Sequence, residues 1–341
     1  MVAPFRTAAA IGLLALLAPH AAAEPAPSPT ETARAIITDY ARLLMEQHRP
    51  FDGFHAYYAP DQIQHDPWIG DGNGGDEAFL EARRKADPEK YAATEAYVSV
   101  IHNILADGDL VALKSHVFTS PNDPGRVFVD IWRIENGRFA EHWDVIQPIA
   151  AERANDGSVG CGRGVTYEQA KAVGALVDDP ACGRPDPAAD SAASRRLVLA
   201  YLAMGQEPGR LEDAIRTFVA EDFVQHSAHI PPGRQGLLDY MLPRAAARQA
   251  DNRRSHIARV LADGDLVLVH RRVTRDSDPR GTAYADLFRV RGGKVAEHWD
   301  VIQPIPAFSV SGRSMVDGPL EPGRAKGPPP ESHQPEEDIG S

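Results

Sequence analysis

The chain has 341 residues, of which 43% are hydrophobic and 25% charged, and its formal net charge is −12. That is ordinary globular composition with length for two or three domains. The acidic balance excludes a nucleic-acid partner, which would need a basic face. The two cysteines are too few and wrongly spaced for a zinc clip.

Residues 1–23 have the form of a secretory signal, with Arg6 as the only early charge, an apolar run over 11–18 and small residues Ala21, Ala22 and Ala23 before Glu24. The run is too short to span a bilayer. Export to the periplasm or medium is therefore expected. A Pro-rich spacer covers 24–34. A first domain is expected over 35–150, with a helix from about Thr32 to His48, an extended or turn segment over 57–67, and a helix from Asp76 to about Arg84. Strands are expected near 96–106, 109–119, 126–135 and 138–147, joined by tight turns at 107–109 and 135–137.

Residues 151–190 look like a linker with one helix near 166–176. It holds Cys161 and Cys182, which an oxidising compartment would join. Closing so short a loop is worth roughly 3 kcal/mol on the chain-entropy view. A second domain over 191–308 repeats the plan, with helices near 192–205, 210–220 and 235–249. Its strands fall near 254–262, 265–274, 282–291 and 294–303. A Pro, Gly and Glu-rich tail, 309–341, is expected to be disordered.

The two domains are copies. AlaGluHisTrpAspValIleGlnProIle occurs at 140–149 and again at 296–305. Without a gap, 105–149 aligns with 261–305 at 22 of 45 identical positions, an offset of 156. Upstream, Gln64 and His65 meet Gln225 and His226 at an offset of 161. A period this long is a whole domain rather than a solenoid unit. Helices followed by an antiparallel meander make each copy α+β.

Strand alternation sorts the polar side chains. His142 and Asp144 share a face of one strand, opposite Trp143 and Val145. Phe128, Asp130 and Trp132 share a face of the preceding strand. Lys114 and His116 oppose Val111, Leu113 and Val117. The second copy offers His298 and Asp300, then Tyr284, Asp286 and Phe288, then His270 and Arg272. His116, Asp130, His142 and Asp144 are expected to meet on one pocket face, because a buried core face rarely carries so many polar groups. The opposite, apolar face needs a cover, and the other copy is the natural one. The expected assembly is an intramolecular pseudo-dimer with sheets back to back.

The words Gln-His, AlaAspGlyAspLeuVal, Asp-x-aromatic-Arg and GluHisTrpAspValIleGlnPro resemble the SnoaL-like, polyketide cyclase-like branch of the nuclear transport factor 2-like superfamily. The resemblance covers most of 35–149 and 195–306. It implies two cone-shaped units, each with N-terminal helices on a curved antiparallel sheet that encloses a pocket. It also implies a small-molecule ligand, and in some members aldol cyclisation or isomerisation. His65 and His226 fall on its Gln-His position, and His142, Asp144, His298 and Asp300 on its His-Trp-Asp word.

Such chemistry needs a base to remove a proton alpha to a carbonyl and a donor for the resulting oxyanion. Asp144 or Asp300 is the expected base, with Asp130 and Asp286 as rivals. His142, His298, His65 and His226 are the candidate donors. Phe128, Trp132, His116, Tyr284, Phe288 and His270 are expected to contact the substrate. No cofactor fingerprint occurs, and no paired-histidine motif repeats in both copies to hold a metal. A non-catalytic periplasmic binding or scaffold module is the alternative, as is a purely structural role for the His-Trp-Asp word. Departures between the copies leave open whether both pockets work.

Overall fold

The computed structural model describes residues 26–86, 98–160, 165–173 and 184–328. The expected signal segment and both cysteines, Cys161 and Cys182, lie outside these residues.

In the first copy, α1 (Pro29–Ala41) starts at a capping box, in which Ser28 and Glu31 satisfy each other's backbone amides. It continues into a π-turn at Arg42–Glu46. Helix α2 (Pro50–Tyr57) leads directly into β1 (Tyr58–Gln64), and α3 (Asn73–Ala86) follows. Four strands complete the copy: β2 (Val98–Asp107), β3 (Leu110–Phe118), β4 (Arg126–Glu135) and β5 (Arg138–Pro148). The β4–β5 turn has Asn136 and Gly137 at φ 52° and 75°, and its counterpart has Gly292 and Gly293 at 59° and 71°. Positive φ at both central residues is what the twist-matched hairpin turn requires.

A short helix, α4 (Tyr167–Val173), precedes the second copy. The second copy runs α5 (Ser191–Gln206), α6 (Leu211–Phe218), β6 (Val219–Gln225) and α7 (Gly233–Ala250). It closes with β7 (Arg254–Asp263), β8 (Leu266–Thr274), β9 (Thr282–Arg291) and β10 (Lys294–Pro304).

The sheet orders are β1-β5-β4-β3-β2 and β6-β10-β9-β8-β7. Four strands are antiparallel, but β1 and β6 run parallel to β5 and β10, so each sheet is mixed. The 57–67 segment is thus a sheet edge. Helix α2 was not expected, since Gly53 in a short Pro-initiated stretch hides its periodicity. No helix among the described residues is long and apolar enough to cross a membrane.

Each copy has a core between helices and sheet, built in the first from Ile37, Tyr40, Phe54 and Trp132, and in the second from Val198, Ile215, Leu238 and Phe288. The opposite sheet faces form a third core shared by the copies, holding Val129, Ile131, Trp143 and Val145 against Leu268, Ala285, Leu287, Trp299 and Val301. The contacts across it are reciprocal. The Ile146 amide donates to Gln303 Oε1 at 2.8 Å, and the Ile302 amide to Gln147 Oε1 at 2.8 Å. Asp263 takes the Ala106 amide and Arg34, while Asp107 takes the Ala262 amide and Arg195. Losing one partner of such a buried bond costs about 1–3 kcal/mol.

Each copy also sends its C-terminal extension over the other. After β5, the Ala154 amide bonds the Ala228 carbonyl at 2.7 Å, and the Asn155 amide group reaches the carbonyls of Ser227 and Ile230. After β10 the chain does not dissolve into a tail. A parallel pair, β11 (Phe308–Ser309) and β12 (Ala325–Lys326), forms. The Val310 amide bonds the Pro67 carbonyl, and Ser311 bonds that of Gln64. Met315 and Val316 are wholly buried in the shared core, and Glu321 and Arg324 pair at 2.6 Å with no side-chain exposure. The expected disorder of 309–341 is therefore corrected for 309–328. Polar, Pro-rich composition is compatible with order when a neighbouring surface supplies the partners.

Candidate active site

Pairing register decides which side chains meet. Across β4 and β5, Asp130 faces Asp144, Trp132 faces His142 and Phe128 faces Ile146. All six line a cavity of about 260 Å³ between sheet and helices. The equivalent pairs in the second copy are Asp286 with Asp300, Phe288 with His298 and Tyr284 with Ile302. These line a cavity of about 210 Å³.

Strand β3 runs in the phase opposite to the expected one. Leu113 pairs with Asp130 and Ser115 with Phe128, so Leu113, Ser115 and Val117 face the pocket. His116 points to the other face, where its Nε2 meets the Pro124 carbonyl at 2.9 Å and its ring stacks on Phe118 at 4.0 Å. Burial pushes it down to about 4. His270 is likewise fully buried behind the sheet, its Nδ1 accepting from Arg259 at 2.9 Å. Neither can touch a ligand in the pocket.

His65 and His226 also leave the site. His65 stacks on Trp143 at 4.9 Å and meets Glu141 at 2.9 Å and the Ser314 carbonyl at 2.5 Å. His226 stacks on Trp299 at 4.6 Å and meets Glu297 at 2.8 Å. They serve the junction between copies. There Lys114 sits over Trp299 and donates to the Gly160 carbonyl, while Arg259 sits over Trp143 and donates to that of Val316. Of the polar residues that suggested a pocket face on β3, Lys114 belongs to this clasp, and His116 is held within its own hairpin.

Both pockets contain the same hydrogen-bond chain. Gln64 Oε1 accepts the Asp66 amide at 2.9 Å, which fixes how its side-chain amide is turned. His142 Nδ1 must then donate to that oxygen, at 2.9 Å, and its Nε2 faces Asp130 at 3.3 Å. Gln225, His298 and Asp286 repeat this at 3.2 and 3.1 Å. Trp132 and Phe288 stack on the two imidazoles at 4.9 and 4.7 Å.

Beyond that chain the pockets differ. Four aspartates line the first: Asp66, Asp76, Asp130 and Asp144. Burial first, then repulsion from Asp66, raises Asp144 well above the carboxylate range. Burial also raises Asp66, which lies within hydrogen-bond reach of Asp144. Two buried carboxyls that close share a proton, because both cannot be ionised. Burial pushes Asp76, in the first turn of α3, up to about 7. The walls are apolar, from Phe54, Trp68, Ile69, Phe79 and Leu80. Trp68 is braced from behind by Phe308 at 4.5 Å.

In the second pocket the position of Asp66 is Ser227, that of Asp76 is Leu237, and that of Ser115 is Arg271. Arg271 grips Asp286 through two bonds of 2.6 and 3.2 Å and lies over Tyr284. Burial works to raise Asp286, but Arg271 and His298 outweigh it and hold the carboxyl far below its usual range. Burial raises Asp300. Asp286, His298 and Asp300 bring ligand atoms within 4.8 Å of one another. A divalent ion there would meet the Arg271 guanidinium at the same carboxylate, so the donor set fits a metal poorly.

Asp66, Asp76 and Arg271 were missed in the sequence. Asp66 stands beside His65 just past the end of β1, in a bend where strand alternation no longer applies. Arg271 needed only the opposite phase for β8.

The architecture defines a pair of α+β units, each closing helices over a curved mixed sheet around an internal pocket. The chain belongs to the SnoaL-like domain family, whose model matches it twice, at residues 37–142 and 198–298. Similar solved structures include a candidate ketosteroid isomerase from Kribbella flavida DSM 17836, 19% identical, covering 42% of this chain and 86% of that one, with a TM-score of 0.29. Another is a candidate SnoaL-like polyketide cyclase from Jannaschia sp. CCS1 at 19% identity, 34% and 90% coverage and a TM-score of 0.29. A third is an NTF2-like protein of unknown function from Mesorhizobium loti at 20%, 35% and 97%, and 0.28. A search of curated proteins found no match.

Proposed function

We propose that the first pocket binds a small apolar or aromatic carbonyl compound and moves a proton at the carbon beside the carbonyl, as aldol cyclisation or isomerisation requires. The observation that carries this is the Asp66–Asp144 carboxyl pair lining an apolar, aromatic-walled cavity. With one shared proton the pair holds both halves of the chemistry. Its ionised oxygen takes the carbon-bound proton, and its protonated oxygen donates to the developing enolate. The apolar surroundings strengthen both interactions. Asp76, balanced between forms near neutral pH, adds a further buried carboxyl to the same cavity. His142, engaged by Gln64 and Asp130, fixes the position of Asp130 opposite Asp144 rather than acting as a free donor.

The second pocket has the base position, Asp300, without a carboxyl partner, because Ser227 replaces Asp66. That favours binding without turnover in this copy.

The test is proton–deuterium exchange by NMR, with a panel of β-keto esters and aromatic ketones in heavy water. Wild type should exchange the alpha protons, and Asp144→Asn and Asp66→Asn should each lose that exchange while remaining folded. Exchange that survives both substitutions would remove the pair from the mechanism, and none by wild type would move the reading to a binding module. We also propose export to the periplasm or medium, from the 1–23 segment. A mature N-terminus at Glu24 is expected, and recovery of the uncleaved chain from the cytoplasm would contradict it.

A further inference from the structure

The second pocket carries an excess of cations that the fold does not use. Arg248, in the last turn of α7, Arg253, just beyond it, and Arg271 on β8 all line the cavity. Arg271 is spent on Asp286. Among the described residues the other two have no carboxylate partner: the Arg248 guanidinium bonds Met241 sulfur at 3.0 Å, and no ion pair forms at Arg253. Both are only partly exposed. Burial brings Arg253 down to about 10, and the neighbouring Arg271, Arg248 and Arg275 add to the strain. Two guanidiniums without a carboxylate, in one cavity with a third, are unfavourable unless an anion joins them.

The acids in the cavity do not balance them. Only Asp286 and Asp300 line it, the first already bonded to Arg271 and His298 and the second pushed toward its neutral form by burial. His229 stands exposed at the same cavity. The rest of the lining joins polar groups, Gln206, Gln225, Ser227 and Ser255, to an apolar and aromatic majority that includes Phe223, Leu237, Tyr240 and Tyr284. The volume of about 210 Å³ suits a ligand of one or two rings.

We infer that the second pocket is a binding site for an organic carboxylate on an apolar ring body, with its anionic oxygens on Arg248 and Arg253 and its rings among Phe223, Tyr240 and Tyr284. Planar guanidiniums match a carboxylate bidentately, which is why two unpartnered arginines specify that group. The first pocket sets four aspartates against two arginines, Arg83 and Arg126, which disfavours the same ligand. This inference goes beyond the proton-transfer reading of the first pocket and stands whether or not that reading holds.

Calorimetric titration of the full protein with 2-naphthoate and with neutral 2-naphthamide tests it. Wild type should bind the acid at least about tenfold more tightly than the amide. The double substitution Arg248→Gln/Arg253→Gln should erase that preference while leaving amide binding in place. Arg248→Lys/Arg253→Lys should restore part of it. Equal affinity for acid and amide, binding of neither, or an unchanged preference in the glutamine variant overturns the inference.

Discussion

The two pockets are built on one scaffold and carry opposite electrostatics. Both keep the Gln-His-Asp chain, the aromatic ring stacked on the histidine and the second aspartate one pair along the ladder. Among the positions that differ are Asp66 against Ser227, Asp76 against Leu237 and Ser115 against Arg271. In the first copy those residues gather acids that must share protons. In the second they remove the acids and supply a cation that pins Asp286 in its charged form. The retained chain holds β5 and β10 to the edge strands, so it is the frame of each pocket. The exchanged residues set what each pocket can do.

The largest expected effect is on turnover. Asp144→Asn should slow alpha-proton exchange by about 10²–10⁴-fold, the range of a lost general base. Ser227→Asp, which restores a carboxyl partner to Asp300, should not slow exchange, and a loss there would mean that the second pocket does the chemistry.

Asp76 gives the next largest. In the folded protein it keeps its proton up to about 7, whereas its ordinary value is 3.8. The folded state therefore binds more protons across that window, and stability falls as pH rises through it, by roughly 4 kcal/mol in all. Between about pH 5 and about pH 8, urea unfolding should show roughly 2.5 kcal/mol of this loss in wild type and a much flatter profile in Asp76→Asn. Leu237→Asn, at the matching position, should not alter the pH dependence. A wild-type profile already flat in that window would contradict the buried position of Asp76.

Arg271→Ala should cost about 3 kcal/mol, since it leaves Asp286 buried with only His298 as a partner. Ser115→Ala at the matching place should cost under about 1 kcal/mol. Equal midpoints for the two variants in denaturant would show that the ion pair contributes nothing. The smallest effect belongs to His116. His116→Gln should leave the exchange rate within about twofold of wild type, because the side chain lies behind the sheet. A large loss of exchange would return it to the pocket.

The fold was legible because the duplication repeats every strand and turn, and the Asn-Gly and Gly-Gly pairs mark the β4–β5 and β9–β10 hairpins. The faces of β4 and β5 were legible from the alternation of Phe128, Asp130 and Trp132 with Val129 and Ile131. The face of β3 was not. Lys114 and His116 looked like pocket residues because they are polar, yet the face behind the sheet also uses polar groups: Lys114 lies over Trp299 of the other copy and reaches the Gly160 carbonyl, and His116 reaches the Pro124 carbonyl of its own hairpin. His65 and His226 misled for the same reason. Asp66 and Asp76 sit in a loop and at a helix start, where no alternation assigns a direction. Residues 309–328 were misread because composition reports what a segment can bury alone, not what Trp68, Gln64 and Asp71 offer it.

The most direct test of the division between pockets sets Asp144→Asn beside Asp300→Asn, each alone, in the same deuterium-exchange assay. Exchange should vanish with Asp144→Asn and persist with Asp300→Asn. The reverse pattern, or an equal loss from both, would contradict a chemical first pocket paired with a binding second one.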